Sequence, residues 1–426
     1  MQTPGKSQAA DTGAFRRLRI NGARLRSALD TVNQVGFVPG HGRTRLALSD
    51  ADRDARNLLV GWLKDLGLEV VVDDVGNIFG KRRGHDDRLP PVLVGSHIDT
   101  VKRGGQYDGV LGVMAALEVI RSLEDHGIET DRPIWVVNWC EEEGTRFPPG
   151  LVGSAVWSGL RTPDWAYGLT DSAGLRFGDE LGRIGYRGET PAAACPVHAY
   201  LEVHVDQGVV LEQSGKTIGV PKGIVGLRFA TMHVEGRADH AGGMQMDQRH
   251  DALCAAAEMI LQVNALPNRF GADMVTTVGE MHVRPNSRFT VPASVDFAVD
   301  IRCWDDDLAL RAWEELNEFC EAAARRRICQ VSGETLLFTG RLPFDQSLTS
   351  MVEATARELG HTTHPMASGA SHDAANLCQI APTAMILVPL IGGRSHVPEE
   401  ETSWYDCEAG ANVLLQCVLK SGAAVS

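Results

Sequence analysis

Along the chain, stretches of apolar residues with helical spacing alternate with short, continuously apolar or alternating runs. Residues 15–35 and 51–66 carry apolar positions at the helical period, 68–80 alternate, and 91–94 form a brief apolar run. A helix is predicted over 110–123 and a buried strand over 134–139, with a further strand at 201–205. Strands that alternate with helices predict an α/β fold, a mainly parallel central sheet flanked by helices. Its ligands gather in the loops beyond the strands' carboxyl ends.

Between 221 and 340 the pattern changes. Strand 229–235, helix 250–266, strands across 275–283 and 294–302, and helix 308–327 follow in β-α-β-β-α-β order, a ferredoxin-like α+β arrangement expected to be an inserted domain. The α/β style then returns with a helix at 348–359, a strand at 383–390 and a closing helix at 407–419. The expected division is 1–220 and 341–426 for the larger domain and 221–340 for the insertion. No internal repeat or low-complexity tract interrupts this plan.

Composition narrows the partners. With 426 residues, 43% hydrophobic and 23% charged, the chain buries a sizeable core and exceeds what one core usually organises. A net charge of -14 repels phosphate backbones and anionic lipid heads, which argues against nucleic acid and membrane partners. No apolar run reaches the roughly eighteen residues of a spanning helix, and residues 1–13 lack the apolar centre of a signal peptide, so a cytoplasmic location is expected. Nine cysteines without a C-x-x-C pair point to reduced thiols.

Polar motifs follow the apolar strands directly. In Gly95-Ser96-His97-Ile98-Asp99-Thr100, His97 and Asp99 stand two apart and in extended geometry share a side, so a carboxylate there would orient an imidazole for a metal. Gly104-Gly105-Gln106-Tyr107-Asp108-Gly109 surrounds one acid with glycines that let backbone approach an ion, although a simple turn reads the same way. Glu141, Glu142 and Glu143 follow strand 134–139, where their mutual repulsion calls for cations. His204 lies on strand 201–205, and His396 follows a glycine-rich turn after strand 383–390. Each histidine alone is commonly structural; together, at one sheet edge, they suggest a site. Imidazole and carboxylate donors without thiolate suit zinc, manganese, cobalt or nickel, and one aspartate bridging two ions makes a two-metal hydrolytic centre.

The segments GSHIDTV, GGQYDGVLGV, EEEGTRFPPG, LEVHVDQG, DHAGG and SHVPEE, in this order from about residue 25 onward, resemble the carbamoylase and allantoate amidohydrolase branch of the metallopeptidase superfamily that also holds aminoacylases and glutamate carboxypeptidases. The resemblance implies two divalent ions per subunit, one held by His97, Asp108 and His204, the other by Asp108, Glu143 and His396. It further implies that Asp99 orients His97, that Glu142 is the catalytic base, and that Glu141 lies behind the ligands. The inserted domain would be a lid that forms a homodimer and lends His240 to the partner's site to stabilise an oxyanion. Arg302 would grip a substrate carboxylate, with Gln207, Asn286 and the Ser371-His372-Asp373 loop near the substrate.

The implied activity is hydrolysis of the ureido C–N bond of an N-carbamoyl amino acid or related ureido acid, with release of ammonia and carbon dioxide. An N-acyl amino acid or dipeptide substrate is the alternative, and a non-catalytic binder of small acids is the reading from another class. The pattern departs from the family where a carboxylate is recognised. Phe289 stands where an Asn is usual, Gly243 to Met246 replace Thr-Thr-Pro-Met, Asp206 replaces Glu, and Ser371 replaces Gly.

Overall fold

The computed structural model describes residues 17–422, so the polar segment 1–13 and the first two residues of the predicted helix 15–35 lie outside it. The described chain divides into two compact units, one formed by the residues up to 222 together with those from 343 onward, the other by residues 223–342.

The first unit is built on a nine-stranded sheet. Its centre consists of Thr383–Val388, Ala199–Val205, Val92–His97 and Ile134–Trp139, in that spatial order and all parallel. Every residue of these strands is buried except the half-buried Trp135, which is why they read as unbroken apolar runs. Beyond Ile134–Trp139 come Ile78–Arg82 and Glu69–Val72, both antiparallel, and on the opposite flank Ile218–Ile224 meets Thr383–Val388 antiparallel. Leu342–Pro343 and Thr363–Ser368 pair with Ile218–Ile224.

The sheet is therefore mixed rather than mainly parallel. Residues 68–80, which alternate as if one strand, instead form a hairpin. The Asp73 carboxylate accepts the backbone N–H groups of Val75 and Asn77 at 3.1 and 2.8 Å, and Gly76 supplies the positive φ of 90°. A turn fixed by these bonds forces the neighbouring strands antiparallel.

Helix Val110–Asp125 is buried around almost its whole circumference. It packs on Val92–His97 and Ala199–Val205 and against helices Gly22–Gln34 and Trp404–Gly422. Its Glu118, fully buried, accepts two guanidinium bonds from Arg24 at 2.8 Å and the N–H of Asn21 at 3.1 Å, which ties the first helix to the core. Gly112 is required here because an added Cβ would lie 2.4 Å from the Val203 carbonyl oxygen and 2.8 Å from the Ser96 Cβ. Both contacts adjoin histidines of the sheet edge, so this close approach positions His97 and His204.

The second unit contains Gly226–Glu235, helix Ala252–Phe270, Val275–Thr277 with Met281–Arg284, Ser294–Cys303, helix Asp306–Arg326 and Gln330–Thr339. Its antiparallel sheet runs Val275–Thr277 (with Met281–Arg284), Ser294–Cys303, Gly226–Glu235, Gln330–Thr339. Both helices begin at an aspartate cap, Asp251 bonding the Cys254 N–H and Asp305 those of Asp307 and Leu308. Met232, Val234, Phe297 and Val299 bury one face of the sheet with Met259, Val263 and Leu316 of the helices.

Replacing Gly112 by Val is expected to destabilise the protein by about 1–3 kcal/mol through overpacking. Gly61→Ala, in open space on helix Asp50–Asp65, is expected to stabilise by up to about 1 kcal/mol. Urea denaturation of both variants checks this pair; equal shifts of the same sign would contradict the packing argument.

Candidate active site

The carboxyl ends of the four parallel strands lie side by side, and most of the predicted site residues follow them. His97 closes Val92–His97, His204 is the penultimate residue of Ala199–Val205, the Glu141–Glu143 run follows Ile134–Trp139, and the loop bearing His396 comes after Thr383–Val388. Asp108 sits just before helix Val110–Asp125, whose cap residue Gly109 has φ 64°. A Cβ on Gly109 would fall 2.2 Å from the His97 Nε2, so only glycine lets this backbone pass the imidazole.

Two groups of three side chains form, sharing one member. His97, Asp108 and His204 offer ligand atoms within 4.8 Å of one another, as do Asp108, Glu143 and His396. Asp108 Oδ1 lies 3.2 Å from His204 Nε2 and 3.7 Å from His97 Nε2, while Oδ2 lies 3.2 Å from His396 Nε2. His396 Nε2 is in turn 3.4 Å from Glu143 Oε2. A third group, Glu202, His204 and His372, also brings ligand atoms within 4.8 Å of one another. Its Glu202 is already engaged by the Ser96 and Tyr200 hydroxyls at 2.7 and 2.9 Å.

Hydrogen bonds fix the imidazoles. The His97 Nδ1 faces the Asp99 carbonyl oxygen at 3.1 Å and the His204 Nδ1 that of Val205 at 3.0 Å. A carbonyl only accepts, so both rings carry a proton on Nδ1 and turn Nε2 toward Asp108; the His204 Nε2 also lies 3.1 Å from the Gly109 N–H. Burial also drives the His97 pKa down to about 3, keeping the ring neutral, the form that binds metal. Asp99 thus orients His97 through its main chain, since its carboxylate is 3.7 Å from Nδ1. That carboxylate instead accepts the N–H groups of Glu142 and Glu143 at 3.4 and 3.3 Å, setting the acidic loop.

The donor set fits divalent cations. His97 Nε2 is buried with no hydrogen-bond partner. Burial, reinforced by the neighbouring carboxylates, pushes Glu142 and Glu143 well above the ordinary carboxylate range. A buried cluster of imidazole lone pairs and crowded acids is satisfied by positive charge. Glu142 Oε2 stands 3.6 Å from His97 Nε2, beside the first group but a member of neither. Glu141 faces away and accepts the Phe147 N–H at 3.1 Å. Glu141, Gln207 and His396 all adopt positive φ, at 54°, 56° and 58°, so backbone strain is present at the site.

Gln207 donates its side-chain N–H to Asp108 Oδ2 at 2.8 Å, and the buried His372 ring packs against that of His204 with centroids 4.3 Å apart and planes tilted by 56°. His240, Asn286 and Arg302 belong to the second unit. His240 pairs in a short ladder with Thr290 and accepts the Gly242 and Gly243 N–H groups on Nδ1 at 3.1 and 3.0 Å, which leaves the ring proton on Nε2. Arg302 bonds Asp300 at 3.0 Å near the far end of Ser294–Cys303. Asn286 lies before the start of that strand, so one unit does not bring these two residues together. Sequence reasoning gave no role to Ser395 or Glu400, both of which reach the Asp108 loop; the SHVPEE motif was the available signal.

The chain matches the model of peptidase family M20/M25/M40 over residues 93–420. It is 39% identical over 413 residues to an N-carbamoyl-L-amino-acid amidohydrolase of Rhizobium meliloti, covering 96% of this chain and 98% of the relative. An allantoate amidohydrolase of Bacillus subtilis is 30% identical, covering 92% and 96% of the two chains. Among solved structures, an amidase of the hydantoinase/carbamoylase family from Burkholderia multivorans superposes with a TM-score of 0.90 at 39% identity, covering 96% of this chain and 99% of that one. On these grounds the chain belongs to peptidase family M20/M25/M40.

Proposed function

We propose that the protein hydrolyses the ureido C–N bond of an N-carbamoyl amino acid or related ureido acid, using two divalent metal ions. The observation that carries this reading is the pair of three-residue groups sharing Asp108, with Glu142 3.6 Å from His97 of the first group and a member of neither. The likeness over nearly the whole chain to amidohydrolases named for N-carbamoyl amino acids and allantoate supports the substrate class.

In this reading His97, Asp108 and His204 hold one ion and Asp108, Glu143 and His396 the other, zinc, manganese, cobalt and nickel all suiting the donors. When bound, the ions supply Lewis acidity to the ureido carbonyl and make a water easier to deprotonate. Glu142 takes the proton of the attacking water and delivers it to the leaving nitrogen as the C–N bond breaks. One water thus converts the ureido group to amine, carbon dioxide and ammonia. Asp99 holds Glu142 and Glu143 in place through their backbone N–H groups. Gln207 and His372 lie beside the metal groups, where a substrate's ureido end would sit.

The second unit serves in this reading as a lid and dimerisation domain. Its His240, with a donor on Nε2, suits a developing oxyanion, and Arg302 suits a carboxylate. Along the strand, Arg302 is eight residues from Ser294, roughly 27 Å at strand rise. His240 and Asn286 lie beyond the Ser294 end, so contact of all three with one small substrate calls for two copies of the chain. The strand Gln330–Thr339 offers an exposed sheet edge with Leu336, Leu337 and Phe338 for such pairing. Among the described residues no helix is long and apolar enough to cross a membrane.

With manganese loaded, the protein is expected to release ammonia from N-carbamoyl amino acids or allantoate, and to lose this on chelation. Glu142→Gln is expected to lower kcat by at least about 100-fold, in the range of general-base losses, while two ions per subunit remain bound. Release of a carboxylic acid and amine without ammonia would move the assignment to an acyl amino acid hydrolase.

His240→Ala and Arg302→Ala proteins, each inactive, are expected to recover activity when unfolded together and refolded as mixed dimers. No recovery in verified mixed dimers would contradict catalysis across subunits.

A further inference from the structure

A bridging carboxylate works only if its two oxygens face different ligand groups and keep doing so. Asp108 meets this demand, with Oδ1 toward His204 and His97 and Oδ2 toward His396. Yet Asp108 lies on a glycine-flanked loop, where the backbone N–H groups of residues 106–108 take no part in helix or strand bonding. Something else must fix it.

The N–H groups of Gln106, Tyr107 and Asp108 converge on a single oxygen, Glu400 Oε1, at 3.0, 2.8 and 3.1 Å. Three successive backbone donors around one anion form a concave binding nest, here closed by a carboxylate of the same chain. The other oxygen, Oε2, accepts from the Ser395 hydroxyl at 3.0 Å, and the same hydroxyl stands 2.9 Å from Asp108 Oδ2. Glu400 therefore reaches Asp108 twice, through its backbone and through its side chain. It is 2% exposed and belongs to none of the three groups of candidate metal ligands.

Gly105 gives independent testimony. A Cβ at this position would lie 2.3 Å from the Cβ, Cδ and Oε1 of Glu400. The obstruction includes the Glu400 Cβ, which cannot swing aside as a side-chain tip does. The glycine before the nest and the acid inside it are thus a matched pair, 295 positions apart in the chain.

We propose that Glu400 is the positioning residue of Asp108: it holds the 106–108 loop and, through Ser395, the orientation of the Asp108 carboxylate, so that one oxygen serves each ligand group. This role rests on the two-metal reading given above. Glu400 does not touch the reacting atoms; it acts through Asp108.

The test uses the full-length protein loaded with manganese, read by metal content, by the electron paramagnetic resonance signature of a spin-coupled manganese pair, and by kcat and KM. Glu400→Ala and Gly105→Ala are expected to lose the coupled signal and to drop kcat by about 10–100-fold, the range for residues that orient ligands, with KM little changed. Glu400→Gln keeps a carbonyl oxygen for the three N–H groups and is expected to restore the coupled signal and much of kcat. Ser395→Ala, which leaves the nest intact, decides the matter if Glu400→Ala does not fold: it is expected to weaken the coupling and lower kcat. A coupled pair with unchanged kcat in the Glu400 and Ser395 variants would overturn the role of Glu400 alone. Fewer than two ions in the unaltered protein would overturn the two-metal reading and this role with it.

Discussion

The structure depends on the burial of one carboxylate, that of Asp108, among imidazoles and further acids at the carboxyl ends of the four parallel strands of a mixed sheet. Charge gathered in this way is unfavourable unless each group is oriented and a counter-charge is supplied. The orientation is visible at every member. Main-chain carbonyls set the His97 and His204 rings, Asp99 sets the Glu142–Glu143 backbone, and Glu400 sets the loop of Asp108 itself. The counter-charge is what the proposed metal ions provide.

The fold serves this constraint by adjacency. Four parallel strands bring residues some three hundred positions apart to neighbouring strand ends, and parallel pairing guarantees that the ends coincide. Helix Val110–Asp125 completes the arrangement from the other direction. Its closeness to the sheet, permitted by Gly112, and the passage of Gly109 beside His97 put Asp108 between the histidines. Substitutions far from the chemistry, at either glycine, act on the same geometry.

Much of this was legible in the sequence because the central strands are buried on both faces and so appear as continuous apolar runs followed by polar motifs. The exceptions have local causes. The 69–82 hairpin hid because its five-residue Asp73–Asn77 turn is set by bonds to the Asp73 carboxylate and by Gly76, without the two-residue signal of a tight hairpin. Ile218–Ile224 was missed because it contains Pro221, which argues against a strand but is tolerated near a sheet's flank. Three short helices, Val152–Trp157, Pro163–Gly168 and Phe177–Arg183, are too brief to show a period; Arg146 helps anchor this region through Asp171 and Glu180. In the site, ligand types could be read from motifs, but the part played by Glu400 could not, since its partners lie nearly three hundred residues away. Nor does a motif distinguish the Asp99 carbonyl from its carboxylate as the group that meets His97.

The central claim is that one carboxylate serves two cations. Diffraction from crystals of the manganese-loaded protein, recorded on both sides of the manganese absorption edge, tests it without reference to any substrate. The account predicts two anomalous peaks about 3.5–4 Å apart, one among His97, Asp108 and His204 and the other among Asp108, Glu143 and His396. A single peak among Glu202, His204 and His372, or peaks that leave Asp108 bound to one ion only, would contradict it.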